Sequence, residues 1–169
     1  EGTVATTYQF NELPSVVPRS YIVSGWEIFD GETSLLERLS QKRSSEHLMT
    51  AALLKSDLAN ITLPSFPRKL SWSSEIIEYR PNYLKIKGFS SEESILVLTE
   101  NFHRHWKGYL NGEPTPIFPA QYTFRGVKVP RGNFIVEMRY EDIQLKVAYG
   151  VMILGIIFLI LFIYYGQKK

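Results

Sequence analysis

Cysteine is absent from the 169 residues. That excludes a disulfide scaffold, a thiolate metal site and a cysteine nucleophile. Histidine occurs three times. No excess of either charge is present. With Lys168 and Lys169 set aside, 17 basic side chains face 17 acidic ones in residues 1–146. A nucleic-acid binder normally carries a basic excess or stripe, and here no basic cluster exceeds two residues, so nucleic acid is excluded as a partner. The usual catalytic signatures are missing too: no G-x-S-x-G elbow, no G-x-x-x-x-G-K loop, no G-x-G-x-x-G and no H-E-x-x-H. No internal repeat or low-complexity tract appears.

What the chain has in quantity is apolar and aromatic side chains, 44% and 14% of the residues. Those fractions exclude a disordered or collagen-like polymer, and the aromatics lean towards β structure. From Val147 to Gln167 no residue is charged. The apolar core of that run, Val147 to Tyr165, would form a helix of roughly 28 Å, close to the hydrocarbon thickness of a bilayer. Tyr149 lies near one end and Tyr164 and Tyr165 near the other, where tyrosine rings favour the membrane interface. Gly150 and Gly155 interrupt an otherwise bulky span; they are five apart and so do not make G-x-x-x-G. The competing reading is a buried core helix. Lys168 and Lys169 place the C-terminus in the cytoplasm by the positive-inside rule. The rival topology, a tail anchor with the domain in the cytoplasm, stays open because Lys146 flanks the other end. The chain starts at Glu1 without Met, so either a removed leader or a longer chain is expected.

In the rest of the chain the pattern is mainly β. Ser20 to Val23 reads as a short strand, and Trp26 to Phe29 continues in a similar manner. Ser34 and Glu37 make a capping box for a helix with an apolar stripe at Leu35, Leu36 and Leu39, ending near Lys42-Arg43. His47 to Leu54 is read as a strand. Leu63 to Pro67, with two prolines, is a linker between two halves of one sheet assembly. Leu84 and Ile86 alternate with Lys85 and Lys87, the period of a half-buried strand. Ile95 to Thr99 is continuously apolar up to the threonine, which predicts a central strand covered on both faces. Asn111-Gly112 is a type I′ hairpin signal, and Pro114 and Pro116 confine the return strand to an edge. Phe134, Val136, Met138 and Tyr140 alternate with Ile135, Glu137 and Arg139. Strands recurring at roughly ten-residue spacing predict a β-sandwich with one short helix, followed by a single C-terminal transmembrane helix.

Four features bear on candidate chemistry. In His103-Arg104-His105-Trp106 the two imidazoles would share a face if extended, with Glu100 as a third metal ligand; the alternative is a solvated loop before a strand that begins at Trp106. Trp106, Trp26 and Trp72 offer faces on which a sugar could stack, against ordinary packing. Glu92-Glu93 and Glu141-Asp142 read as solvated turns, since neighbours in sequence do not converge across a glycosidase cleft. Asn60-Ile61-Thr62 matches the N-glycosylation pattern. No residue is given a catalytic, cofactor or metal role; Trp106, His103 and His105 are the candidate contacts for a glycan or partner.

The order Tyr79-Arg80-Pro81-Asn82, Leu96 to Asn101, Trp106-Lys107-Gly108-Tyr109-Leu110-Asn111-Gly112, Phe124 to Gly132 and Val136 to Tyr140 resembles the C-terminal region of the bacterial YfhO-like membrane proteins. Arg104-His105 stands where that family usually has Pro-Gly, and Asn111 where it usually has Asp. The resemblance implies an extracytoplasmic β domain before a last membrane helix, in a bacterial envelope setting. The family is related to lipid-sugar-dependent glycosyltransferases that modify cell-envelope polymers, and its catalytic loops lie in a multi-pass part not present in these residues. The expectation is therefore a non-catalytic accessory or interaction subunit of a larger membrane complex, with a periplasmic domain over residues 1–146, a span over 147–167 and a cytoplasmic tail at 168–169. Its expected partners are the bilayer, other membrane-protein subunits and an envelope glycan. The alternative is the C-terminal part of a glycosyltransferase.

Overall fold

Four apolar residues in succession, Ile95 to Leu98, oblige their strand to be covered on both faces, and three layers result. The structure, a computed structural model, describes residues 17–41, 50–58, 61–64 and 70–166. Among them run β1 (Ser20–Val23), β2 (Gly25–Phe29), α1 (Glu32–Gln41), β3 (Thr50–Leu54) and a 3-10 turn (Lys55–Leu58). Then follow β4 (Trp72–Arg80), β5 (Tyr83–Ser90), β6 (Ser94–Asn101), β7 (Trp106–Leu110), β8 (Glu113–Thr115), β9 (Phe118–Ala120), β10 (Phe124–Val129), β11 (Gly132–Tyr140) and α2 (Ile143–Gly166).

The middle layer is a four-stranded sheet in the order β1-β6-β10-β9. One face carries Ile22, Leu96, Leu98, Val127 and Val129. It packs on Leu84, Ile86, Phe134, Val136 and Met138 of a five-stranded sheet ordered β4-β5-β11-β7-β8. The other face carries Tyr21, Val23, Ile95 and Val97, packed with Trp26, Ala51 and Leu53 from β2 and β3. Burying each such aliphatic side chain contributes about 1.5–3 kcal/mol, so the alternating pattern read in β5, β6 and β11 is the main source of stability. The sandwich is thus present as expected, and β6 is its doubly covered strand.

The third layer departs from the expected pattern. β2 and β3 pair in parallel, Gly25 opposite Thr50 to Phe29 opposite Leu54. A parallel pair needs a crossover, and α1 lies in it. Gly31, rather than Ser34, caps α1: its carbonyl accepts from the Leu35 amide at 3.3 Å and from the Ser34 hydroxyl at 2.9 Å. The capping box at Ser34 is therefore displaced into the helix. Leu35 is the buried residue of the helix, Leu36 is exposed, and Arg38 ties the helix to β2 by two bonds to Glu27, at 2.8 and 3.0 Å. Gln121 fastens this layer to the middle sheet. Its side chain accepts from the Ala52 amide and donates to the Thr50 carbonyl, completing the β3 edge. The expected helix end at Lys42-Arg43, the first residues of the strand read from His47, and Ser65 to Pro67 of the linker lie outside the described residues.

Asn111 and Gly112 have φ of 52° and 90°, as a type I′ turn requires. β8 is the sheet edge, in keeping with Pro114. A Cβ on Gly112 would meet nothing within 4 Å, so its replacement is penalised by backbone conformation alone. Gly112→Val is expected to destabilise the domain by about 1–2 kcal/mol. Thermal denaturation checks this, and an unchanged midpoint would refute the turn.

α2 is 24 residues long and its apolar window is Val147–Tyr165. Large apolar side chains project from it on every side; Leu154 is 68% and Phe158 72% exposed. A core helix would bury such groups, so the buried-helix reading is set aside. The helix fits a single-pass membrane anchor. Tyr149, Tyr164 and Tyr165 are exposed towards its two ends, and the Tyr164 and Tyr165 rings meet edge to face at 5.4 Å. Gly150 and Gly155 have no neighbour within 4 Å of a built Cβ. Residues 167–169 lie outside the described residues.

Candidate interface at the membrane-proximal end

Two residues, Glu141 and Asp142, separate the last strand of the sandwich from the apolar helix α2. Short connections leave no slack, and here both residues are also bonded. The Glu141 amide donates to the His105 carbonyl at 2.8 Å. One Asp142 oxygen accepts from the Gln144 amide at 2.9 Å, capping α2, and the other lies 3.2 Å from His105 Nδ1. The Tyr140 amide donates to the Asn82 carbonyl at 3.0 Å. The β4–β5 turn, the loop before β7 and the start of α2 are therefore one bonded unit. Glu141-Asp142 is a junction and not the solvated turn the sequence suggested.

His103 precedes a turn formed by Arg104 and His105, and β7 begins at Trp106, as the loop reading expects. The two imidazoles meet edge to face, 4.7 Å apart, with Tyr140 at 5.7 and 5.8 Å. Glu100 takes no part in this cluster. It points to Arg19 and to Arg125, whose Nη1 is 3.5 Å away. Among the described residues no three His, Asp or Glu side chains converge to hold a metal ion.

Trp106 is held from two sides. The Tyr140 ring stands at 5.5 Å and the Arg125 guanidinium lies over the indole at 3.7 Å. Arg125 is 5% exposed and also donates to the Asn101 carbonyl at 2.9 Å. Burial holds its pKa below the usual guanidinium range, opposed in part by the Glu100 carboxylate. One face of Trp106 is thus closed to a sugar. Trp26 is buried in the third layer and serves as packing, whereas Trp72 is exposed where β4 begins. Asn60 of the glycosylation pattern lies outside the described residues.

The rest of Trp106 borders an open groove of about 540 Å³ between β7 and the segment Pro114 to Ile117. Arg104, Lys107, Tyr109 and Glu141 line it as well. Gly108 makes its floor: a Cβ there would fall 2.8 Å from both the Thr115 carbonyl and the Ile117 side chain. Behind Tyr109 the outer sheet face carries an ionic ladder. Glu137 joins Arg139 at 2.8 Å and Lys85 at 3.2 Å, and Arg139 lies 4.8 Å from the Tyr109 ring. The Arg139 hydrogen bond, aided by Lys85, holds the Glu137 carboxyl below its usual range against partial burial.

Sequence reasoning found Trp106 and both histidines but missed Arg125, Tyr140, Asp142 and the groove. A signal for Arg125 did exist, since it shares the two-residue period of Val127 and Val129 and so faces inward. The fold and this site define a β-sandwich joined directly to an apolar helix that fits a single-pass membrane anchor. Compared with protein-family models, curated proteins and solved structures, the chain matches none.

Proposed function

We propose that the chain is a non-catalytic interaction subunit, anchored by α2, with its sandwich on the extracytoplasmic side of a bacterial membrane. The observation that carries this reading is the short junction: β11 passes to α2 through two residues, of which the Glu141 amide is bonded to the His105 carbonyl and Asp142 caps α2. A domain on a long linker could search for distant partners. One held without slack reaches only what lies at the membrane plane, which favours other membrane-embedded subunits. The C-terminal lysines and the resemblance to the YfhO-like proteins support the extracytoplasmic side and the envelope setting. A second reading, the C-terminal part of a lipid-sugar-dependent glycosyltransferase, draws on the groove beside the membrane helix, where an acceptor or a lipid-linked donor could be held.

The absence of cysteine makes the topology simple to test. Glu92 is exposed in the turn before β6. Glu92→Cys should react with a membrane-impermeant maleimide in intact spheroplasts; reaction only after lysis overturns the orientation. Extraction in mild detergent should then yield the chain with other membrane proteins at fixed stoichiometry. A lone chain would argue against a subunit role, and association through an upstream extension of the same polypeptide would favour the glycosyltransferase reading.

A further inference from the structure

Most cations described at the membrane-proximal end are neutralised. Arg19 and Arg125 hold Glu100, Arg80 holds Glu78, and Arg139 holds Glu137. Arg104 and Lys107 differ. Both are exposed, both line the groove, and neither is in an ion pair among the described residues. Glu141 also lines the groove, so the three charges leave one net positive charge. Two aromatic side chains, Trp106 and Tyr109, form part of the wall.

The height of the groove above the bilayer follows from the chain. Glu141 precedes α2 by two residues, and the apolar window begins at Val147. From Ile143 to Val147 the helix rises about 6 Å, at about 1.5 Å per residue. The headgroup layer of each leaflet is about 5–7.5 Å deep, from about 40–45 Å overall against about 30 Å of hydrocarbon. The groove therefore opens at the level of the lipid phosphates, and Trp106 stands at the depth where amphipathic aromatic rings are favoured.

From this placement and charge we propose that the groove binds the headgroup of an anionic phospholipid in the leaflet that α2 enters. Arg104 and Lys107 pair with the phosphodiester, while Trp106 and Tyr109 pack on the glycerol and first acyl carbons. Glu141 opposes a second negative charge and so favours a monoanionic headgroup. The inference rests on α2 spanning the bilayer and is independent of which side the sandwich occupies.

The test uses the full chain in nanodiscs of phosphatidylcholine, with and without phosphatidylglycerol, followed by native mass spectrometry of the lipids retained on extraction. Phosphatidylglycerol should be retained over phosphatidylcholine by about tenfold at equal mole fraction, a preference set chiefly by the two juxtamembrane cations. Arg104→Gln with Lys107→Gln should bring the ratio to about parity. Lys87→Gln with Arg131→Gln removes the same charge from exposed positions towards the other end of β5 and β11, and should leave the preference intact. Equal loss in both double variants would reduce the effect to general surface charge and overturn the site. An unchanged ratio in the groove variant would overturn it directly, and displacement by inorganic phosphate would replace the lipid with a small-anion site. A chain that fails to enter nanodiscs at all would instead remove the membrane-spanning reading on which the inference stands.

Discussion

Gly88→Val is expected to lower the stability of the sandwich by about 3 kcal/mol or to prevent its folding. Gly88 faces inward on β5, opposite Phe134 of β11 on one side and Ser74 of β4 on the other. A Cβ at Gly88 would lie 2.3 Å from Phe134 Cζ and 2.9 Å from the Ser73 carbonyl oxygen. Neither neighbour can withdraw easily. The Phe134 ring is 2% exposed and packed among Leu84, Ile86 and Met138, and the carbonyl belongs to a strand of the same sheet. Overpacking of this kind typically costs about 1–3 kcal/mol, and two further methyls put valine at the upper end. Thermal denaturation of the full chain in detergent measures the loss. Gly88→Ala combined with Phe134→Leu should recover part of it, because the two positions share one space. A valine variant that melts with the wild type would mean that Phe134 does not lie across Gly88.

This ring over a glycine shows where reading the sequence reaches its limit. The strand over Leu84 and Ile86, the doubly covered strand at Ile95 to Leu98 and the turn at Asn111-Gly112 are local properties: a two-residue period, an unbroken apolar run, a dipeptide with positive φ. Each was legible and each is present. So was the apolar helix, because a bilayer sets a length that few soluble helices match. Gly88 is different. Nothing nearby in sequence says that a phenylalanine 46 positions later will lie on it. The parallel β2–β3 pair was hidden for the same reason. Short apolar runs do not carry the direction of their partner, and only the crossover through α1 decides it.

The site divides in the same way. His103, His105 and Trp106 attract attention as residue types, and they do meet, at 4.7 Å and through Tyr140. Their setting comes from outside the motif. Asp142 reads as part of a charged turn until the helix it caps is in place. Arg104 stands between the two histidines and Lys107 next to the tryptophan, yet their shared groove exists only once β8 folds back over Gly108. Glu100 precedes the histidines in sequence and so invites a metal-ligand reading. In fact the strand carries it to the opposite partner set, Arg19 and Arg125.

Glu100→Leu should therefore cost about 2–4 kcal/mol, far more than an exposed ion pair, whose loss is worth about 0–1 kcal/mol. Three groups compete to decide the size. Arg19 is largely exposed and would be rehydrated at little expense. Arg125 would not: its side chain is 6% exposed, and without Glu100 it keeps the Asn101 carbonyl and the Trp106 face but no counter-charge. Removing one partner of a fully buried pair costs about 3–5 kcal/mol, and the figure here is reduced because Glu100 keeps 18% of its side chain in water. Replacing both partners reverses the logic. In Glu100→Leu with Arg125→Met no buried charge remains, and the thioether can rest on the indole where the guanidinium lay. The double variant should be more stable than Glu100→Leu alone, and urea denaturation of all four members of the cycle gives the coupling directly. If Glu100→Leu unfolds within about 0.5 kcal/mol of the wild type, the carbonyl and the ring alone satisfy Arg125. If the double variant is the weakest of the four, the charge itself is needed to hold Trp106 at the edge of the groove.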